Sequence, residues 1–184
     1  AMRLDSIKPF PWPMTLGAVK DTSLLRAIGK RMGEQEKRLG IHYSFSPVLD
    51  INTNAANPII GNRSFGASKE RVIRQSLAVM KGRHDAGILT SGKHFPGHGD
   101  TETDSHKVLP TINFSKERLE IMEFYPYKKM FEEGLFSVMV AHLNVPSLES
   151  RRNYPSSISY NVVTNILQKE LGFNGLIFTD ALNM

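Results

Sequence analysis

The segment from Lys93 to His106 reads Lys-His-Phe-Pro-Gly-His-Gly-Asp-Thr-Glu-Thr-Asp-Ser-His, placing three histidines, three acids, one lysine and two glycines within fourteen residues. Imidazoles and carboxylates at this density can transfer protons, ligate a metal or hold a polar substrate. The glycines and Pro96 force irregular backbone, and the apolar run Gly87-Ile88-Leu89-Thr90-Ser91 just before them reads as a strand. Irregular loops carried by rigid strands are where reactive groups concentrate, so this segment is the candidate active-site loop. The plainer alternative is a polar surface loop whose histidines only make hydrogen bonds.

The surrounding pattern is a repeated alternation of helix and strand. Asp21 is placed to cap a helix carrying Leu24, Leu25, Ile28, Met32 and Leu39 at three- and four-residue spacing, stopped by Gly40. Ile41 to Asp50 reads as the strand that follows. Ser68 opens a second helix with Val72, Ile73, Leu77 and Met80, ending near Gly87, before Ile88-Leu89-Thr90 leads into the histidine loop. Ser115 opens a third helical region, bent or restarted at Pro126 and closed by Gly134, ahead of the apolar strand Leu135 to His142. Ser159 or Asn161 opens a fourth helix closed by Gly172, and Gly175 to Asp180 is the last strand.

Apolar strands alternating with amphipathic helices predict a parallel sheet covered by helices. Each strand closes on polar groups, namely Asp50, Lys93 with His94, His142 and Asp180. Convergence of such groups at C-terminal strand ends favours a β/α barrel over a doubly wound sheet, whose glycine-rich phosphate turn is not seen. The predicted class is therefore α/β, of (β/α)8 TIM-barrel type. Four βα units make it an incomplete barrel, and residues 1–184 are read as one partial catalytic barrel domain.

Bulk properties exclude several other classes. A chain of 184 residues with 40% hydrophobic content can form a real core, and without cysteine it has neither disulfides nor thiolate metal sites. The net charge of +5 is spread over mixed faces, such as Arg26, Lys30, Arg31, Lys37 and Arg38 alongside Glu34 and Glu36. No nucleic-acid stripe stands apart, no membrane span is expected, and the start carries no signal-peptide pattern. Composition leaves the compartment open.

The chain resembles glycoside hydrolase family 3, in its β-N-acetylglucosaminidase branch. The resemblance rests on Phe45-Ser46-Pro47-Val48-Leu49-Asp50, Asn57 through Gly66, Lys93 through Gly99, Asp104-Ser105-His106, and Phe178-Thr179-Asp180-Ala181-Leu182-Asn183-Met184. It implies a retaining hydrolase that removes terminal β-linked N-acetylglucosamine from glycosides such as peptidoglycan fragments, without cofactor or metal, in a soluble protein of a bacterial-type cytoplasm or periplasm. Asp180 would be the nucleophile, and His106 paired with Asp104 the acid/base group. Arg63, Lys93 and His94 would grip the sugar hydroxyls, with Arg3 a weaker candidate contact. The residues themselves agree with these roles. A carboxylate can form a covalent glycosyl-enzyme, and an imidazole with an unperturbed pKa of about 6.5 can donate and then accept a proton near neutrality.

His142 fits packing or support behind the site as well as direct contact, and His98, Asp100 and Asp50 are assigned first to loop architecture. A lone Asp-x-His can be a surface hydrogen bond, and Asp180 alone can cap a helix. Two rival functions stay open: a metal-dependent hydrolase using His94, His98 and His106, and a sugar-binding barrel without turnover. The resemblance further implies an Asp-rich segment and further strands outside this chain, so residues 1–184 alone are expected to self-associate and to be inactive or weakly active.

Overall fold

The computed structural model describes residues 9–101 and 109–183. Two helices open it, α1 (Pro13–Gly17) and α2 (Thr22–Arg38), and β1 (Tyr43–Ser44) follows. Next come α3 (Lys69–Asp85), β2 (Leu89–Phe95), α4 (Lys116–Ile121), α5 (Phe124–Glu132) and β3 (Ser137–Val140). A π-type helix, Asn161–Glu170, then leads to β4 (Leu176–Thr179).

The four strands are parallel and lie in the order in which they occur in the chain. Sequential parallel order means every crossover advances in one direction, so the helices cover one face only. A doubly wound sheet reverses direction and covers both. The bare face is strongly concave. In a flat sheet β1 and β4 would be about 14 Å apart, three strand spacings of ~4.8 Å, yet the ring centroids of Tyr43 and Phe178 are 5.3 Å apart, as are those of Phe45 and Phe178. This is the curl of a (β/α)-barrel wall, confirming the expected fold class.

Helix starts follow their capping residues. Asp21 accepts from the amides of Ser23 at 2.8 Å and Leu24 at 3.4 Å, and Ser68 and Ser115 cap α3 and α4 in the same manner. The helices α2 and α3 touch backbone to backbone, because a Cβ on Gly82 would stand 2.0 Å from the Arg26 carbonyl oxygen. One core fills the space between the sheet and its covering helices with Phe95, Phe124, Tyr127, Val138 and Leu167; a second lies among α1, α2 and α3.

Three sequence expectations need correction. The run Ile41 to Asp50 gives only two regular ladder residues. Pro47 has no N–H to donate, and pairing resumes beyond it, with the Leu49 amide donating to the Lys93 carbonyl at 2.6 Å. The third helical region breaks at Met122–Glu123 rather than at Pro126, since a proline ring meets the carbonyl four residues earlier, here that of Met122. Lys93, His94 and Phe95 belong to β2, not to the loop after it. No helix among the described residues is long and apolar enough to cross a membrane.

Candidate active site

Strand alternation puts Lys93 of β2 and Asp180, which follows β4, on the concave face. Lys93 is in register with Met139 and Phe178, and Asp180 lies two residues beyond Phe178. Burial lowers the Lys93 ammonium below its ordinary pKa, and the nearby Arg63 lowers it further, while Asp180 and Asp50 oppose the shift. Lys93 therefore sits within the fields of both carboxylates. Asp180 is partly exposed, and its own Oδ1 accepts from the Ala181 amide at 3.0 Å.

Between Lys93 and Phe95 the pairing with β3 shifts register, and the Lys93–His94 peptide is cis. His94 belongs to a buried relay. Its Nδ1 lies 2.6 Å from Asp50 Oδ2 and its Nε2 lies 3.2 Å from Arg63 Nη2. A guanidinium only donates, so Nε2 must accept and Nδ1 must carry the proton toward Asp50. Arg63 is fixed at its other end by donating to the Ile59 carbonyl at 3.1 Å.

Asp50 is the hub of the site. It is 2% exposed and also accepts from the His94 amide at 3.2 Å and the His98 amide at 2.8 Å. Burial alone would raise its pKa, but the interactions with His94, helped by those with His98, outweigh burial and hold Asp50 below the ordinary carboxylate value. The assignment of Asp50 and His98 to loop architecture thus matches their contacts. His98 is buried, with Nδ1 2.6 Å from Thr101 Oγ1, and burial pushes its imidazole pKa down.

His142 stands behind the β4 end. Its Nδ1 meets Ser157 Oγ at 2.6 Å and its Nε2 the Ala181 carbonyl at 3.0 Å, so it supports the chain just after Asp180. Arg63 and Lys93 also border a largely apolar cavity of about 210 Å³ whose wall includes Phe45, Val48 and Phe65. Arg3, Asp104 and His106 lie outside the described residues.

Two contributors escaped the sequence reading. Asn57 donates to the His98 carbonyl at 2.9 Å and accepts from the Ile60 amide at 2.8 Å, tying the histidine loop to the segment that carries Arg63. Its signal was the Asn-Pro pair that opens the Asn57–Gly66 motif. Glu123, at the α4/α5 break, packs beneath Gly97, and nothing near it in sequence points to that contact.

Of the proposed metal set, His106 lies outside the described residues. Both ring nitrogens of His94 have protein partners, the His94 and His98 rings are 6.0 Å apart edge to face, and no group of three potential ligands converges among the described residues.

The profile of the Glycosyl hydrolase family 3 N terminal domain matches residues 1–184. A beta-hexosaminidase of Neisseria gonorrhoeae is 41% identical over 189 residues, covering 98% of this chain and 51% of that protein. The solved family 3 β-N-acetylglucosaminidase of a Paenibacillus strain superposes with a TM-score of 0.94 at 40% identity, over 99% of this chain and 35% of its own. A zinc-bound CbsA from Thermotoga neapolitana gives 0.90 at 32% identity, over 98% and 38%. The chain spans from 29% to 51% of the length of curated beta-hexosaminidases that it matches. With a barrel wall, polar groups at its strand ends and a family profile running its whole length, the chain belongs to glycosyl hydrolase family 3.

Proposed function

We propose that the protein is a retaining glycosidase that removes terminal β-linked N-acetylglucosamine, with residues 1–184 forming part of its catalytic barrel. The observation that carries this reading is the placement of Asp180 on the concave face with Lys93, beside the Asp50–His94–Arg63 relay. Donors fixed in this way can orient sugar hydroxyls so that the anomeric carbon faces a carboxylate. Asp180 then attacks that carbon, and the C–O bond to the leaving group breaks as His106, held by Asp104, gives its proton to the departing oxygen. In the second step His106 takes a proton from water, whose oxygen displaces Asp180 and regenerates the free carboxylate. The beta-hexosaminidase relatives support an N-acetylhexosaminide as the class of substrate.

A fluorinated N-acetylglucosaminide that accumulates the glycosyl-enzyme tests the reading, with the labelled peptide located by mass spectrometry. Label on Asp180 is expected; label on another residue overturns the assignment. Chromogenic β-N-acetylglucosaminide should be cleaved in preference to the β-glucoside.

The zinc-bound relative favours one second reading, a metal-dependent hydrolase. Prolonged chelation separates the two. Under the glycosidase mechanism activity persists, whereas loss that zinc restores establishes the metal reading.

A further inference from the structure

At the end of β4 a side chain takes over from the backbone in holding the chain to β3. The Asp180 amide still donates to the Val140 carbonyl, at 2.9 Å. One residue later the Ala181 carbonyl is met by His142 Nε2, at 3.0 Å. A carbonyl only accepts, so Nε2 carries the proton, and Nδ1 accepts from the Ser157 hydroxyl, 2.6 Å away. The Ala181 amide meanwhile donates to Asp180 Oδ1 at 3.0 Å. Both backbone groups of Ala181 are thus in use: its carbonyl is fixed by His142, and its amide fixes the Asp180 carboxylate. The brace is itself clamped. Ser156 Oγ donates to the Ala141 carbonyl at 2.7 Å and the Ser156 amide to the Leu143 carbonyl at 2.8 Å, gripping the chain on either side of His142. Ala141, Leu143, Ser156 and Ser157 are all buried.

Stability alone does not call for such an arrangement. Ala181 is exposed, so water could satisfy its carbonyl, and a hydrogen bond that replaces one to water contributes little net free energy. An imidazole aimed by a buried hydroxyl does fix a direction. We propose that His142, aimed by Ser157, is a positioning residue that orients the Asp180 carboxylate for attack: through Ala181 it keeps Oδ1 engaged and leaves Oδ2 to bond to the anomeric carbon. This rests on Asp180 being the nucleophile in the proposed function.

The test uses the whole enzyme and a series of aryl N-acetylglucosaminides from dinitrophenol to unactivated phenols. A misplacement of about 1 Å costs about a hundredfold, and a misaimed nucleophile slows attack whatever group departs. His142→Ala should therefore lower kcat/KM by about a hundredfold on every member of the series, and labelling of Asp180 by the fluorinated N-acetylglucosaminide should slow by the same factor. Inhibition by free N-acetylglucosamine should change little, because the groups that hold the sugar are untouched. His142→Gln, whose amide can still donate to the Ala181 carbonyl, should recover most of the loss. Ser157→Ala, which leaves the ring unaimed, should cost about tenfold, and the double variant of His142→Ala with Ser157→Ala should lose no more than His142→Ala alone. Losses concentrated on poor leaving groups, weaker inhibition by N-acetylglucosamine with labelling as fast as in wild type, or a His142→Gln variant as slow as His142→Ala would each overturn the positioning role. If His142→Ala does not fold, Ser157→Ala and His142→Gln decide, since Ser157→Ala labelling at the wild-type rate would overturn it equally. Wild-type protein labelled on a residue other than Asp180 would instead sink the nucleophile assignment, a separate result.

Discussion

Replacing Asp50 by Asn keeps the shape of the side chain and removes its charge, and the consequence can be worked out atom by atom. Oδ1 can still accept from the His98 amide, but an NH2 now occupies the place of Oδ2, 2.6 Å from His94 Nδ1, which also donates. The imidazole can escape by moving its proton to Nε2, where it then faces Arg63 Nη2 at 3.2 Å, another donor. The conflict moves and does not vanish. One charge-assisted hydrogen bond is lost, at about 1.5–3 kcal/mol, and one buried donor is left opposing another, at about 1–3 kcal/mol. A destabilisation of about 3–5 kcal/mol follows, the range found when one partner of a buried pair is removed. Against a typical net stability of about 5–15 kcal/mol the variant should still fold. Urea melts of wild type and Asp50→Asn measure the difference, and nitrogen NMR of the imidazoles reports the tautomer of His94. A difference below about 1 kcal/mol with the Nδ1–H tautomer retained would refute the relay.

The titrations of Asp50 and Glu123 act on stability in opposite senses. Asp50 is depressed, so its contribution is present above the ordinary carboxylate pKa and lost as pH falls below it. Glu123 is raised from 4.5 to about 7, so its contribution is complete below 4.5 and lost as pH rises to about 7. The protein should lose about 3 kcal/mol over that window, and urea midpoints for Glu123→Gln should lose this dependence; an unchanged slope would contradict the burial of the charge. Lys93→Met removes a desolvated cation and should raise stability by about 1 kcal/mol while kcat/KM falls sharply, a trade typical of functional groups; thermal melts beside the chromogenic assay check both, and lower stability would show that Lys93 serves the fold. Residues 1–184 produced alone should self-associate, because β1 and β4 are the edges of the sheet among the described residues and the concave face exposes Phe45 at 46% and Leu176 at 52%. Light scattering over a concentration series should show growth in mass, and a stable monomer would rule this out.

What was legible in the sequence was local. Asp21, Ser68 and Ser115 mark helix starts because capping needs only a side chain and the amides two or three residues on. The parallel sheet was legible because strands covered by helices are apolar in continuous runs. The short β1 was not, since whether pairing survives around Pro47 depends on where β2 lies. The candidate site divides in the same way. The polar strand ends could be named in advance, and the structure brings Arg63, Lys93, His94 and Asp50 together. The use of Asp50 as a hub, the tie made by Asn57 and the burial of Glu123 arise only when distant segments meet. The roles of Asp104 and His106 came from family resemblance, and Asp-x-His alone would not have supplied them.

The site is anchored in two independent pieces. Asp50, Arg63, His94 and the Asn57 tie belong to the first two βα units, whereas Asp180 is steadied through His142 by Ser157 and Ala181, all from the third and fourth. Between the pieces runs the β2–β3 ladder, from Ser91 opposite Ser137 to Phe95 opposite Val140, together with the Glu123 contact to Gly97. For recombination among family members this seam is the natural crossover. A chimera that exchanges the first half between relatives inherits Asp50, Arg63 and His94 as one connected group and leaves the supports around Asp180 intact. The register of β2 on β3 and the pairing of residue 97 with residue 123 are then what the two parents must share.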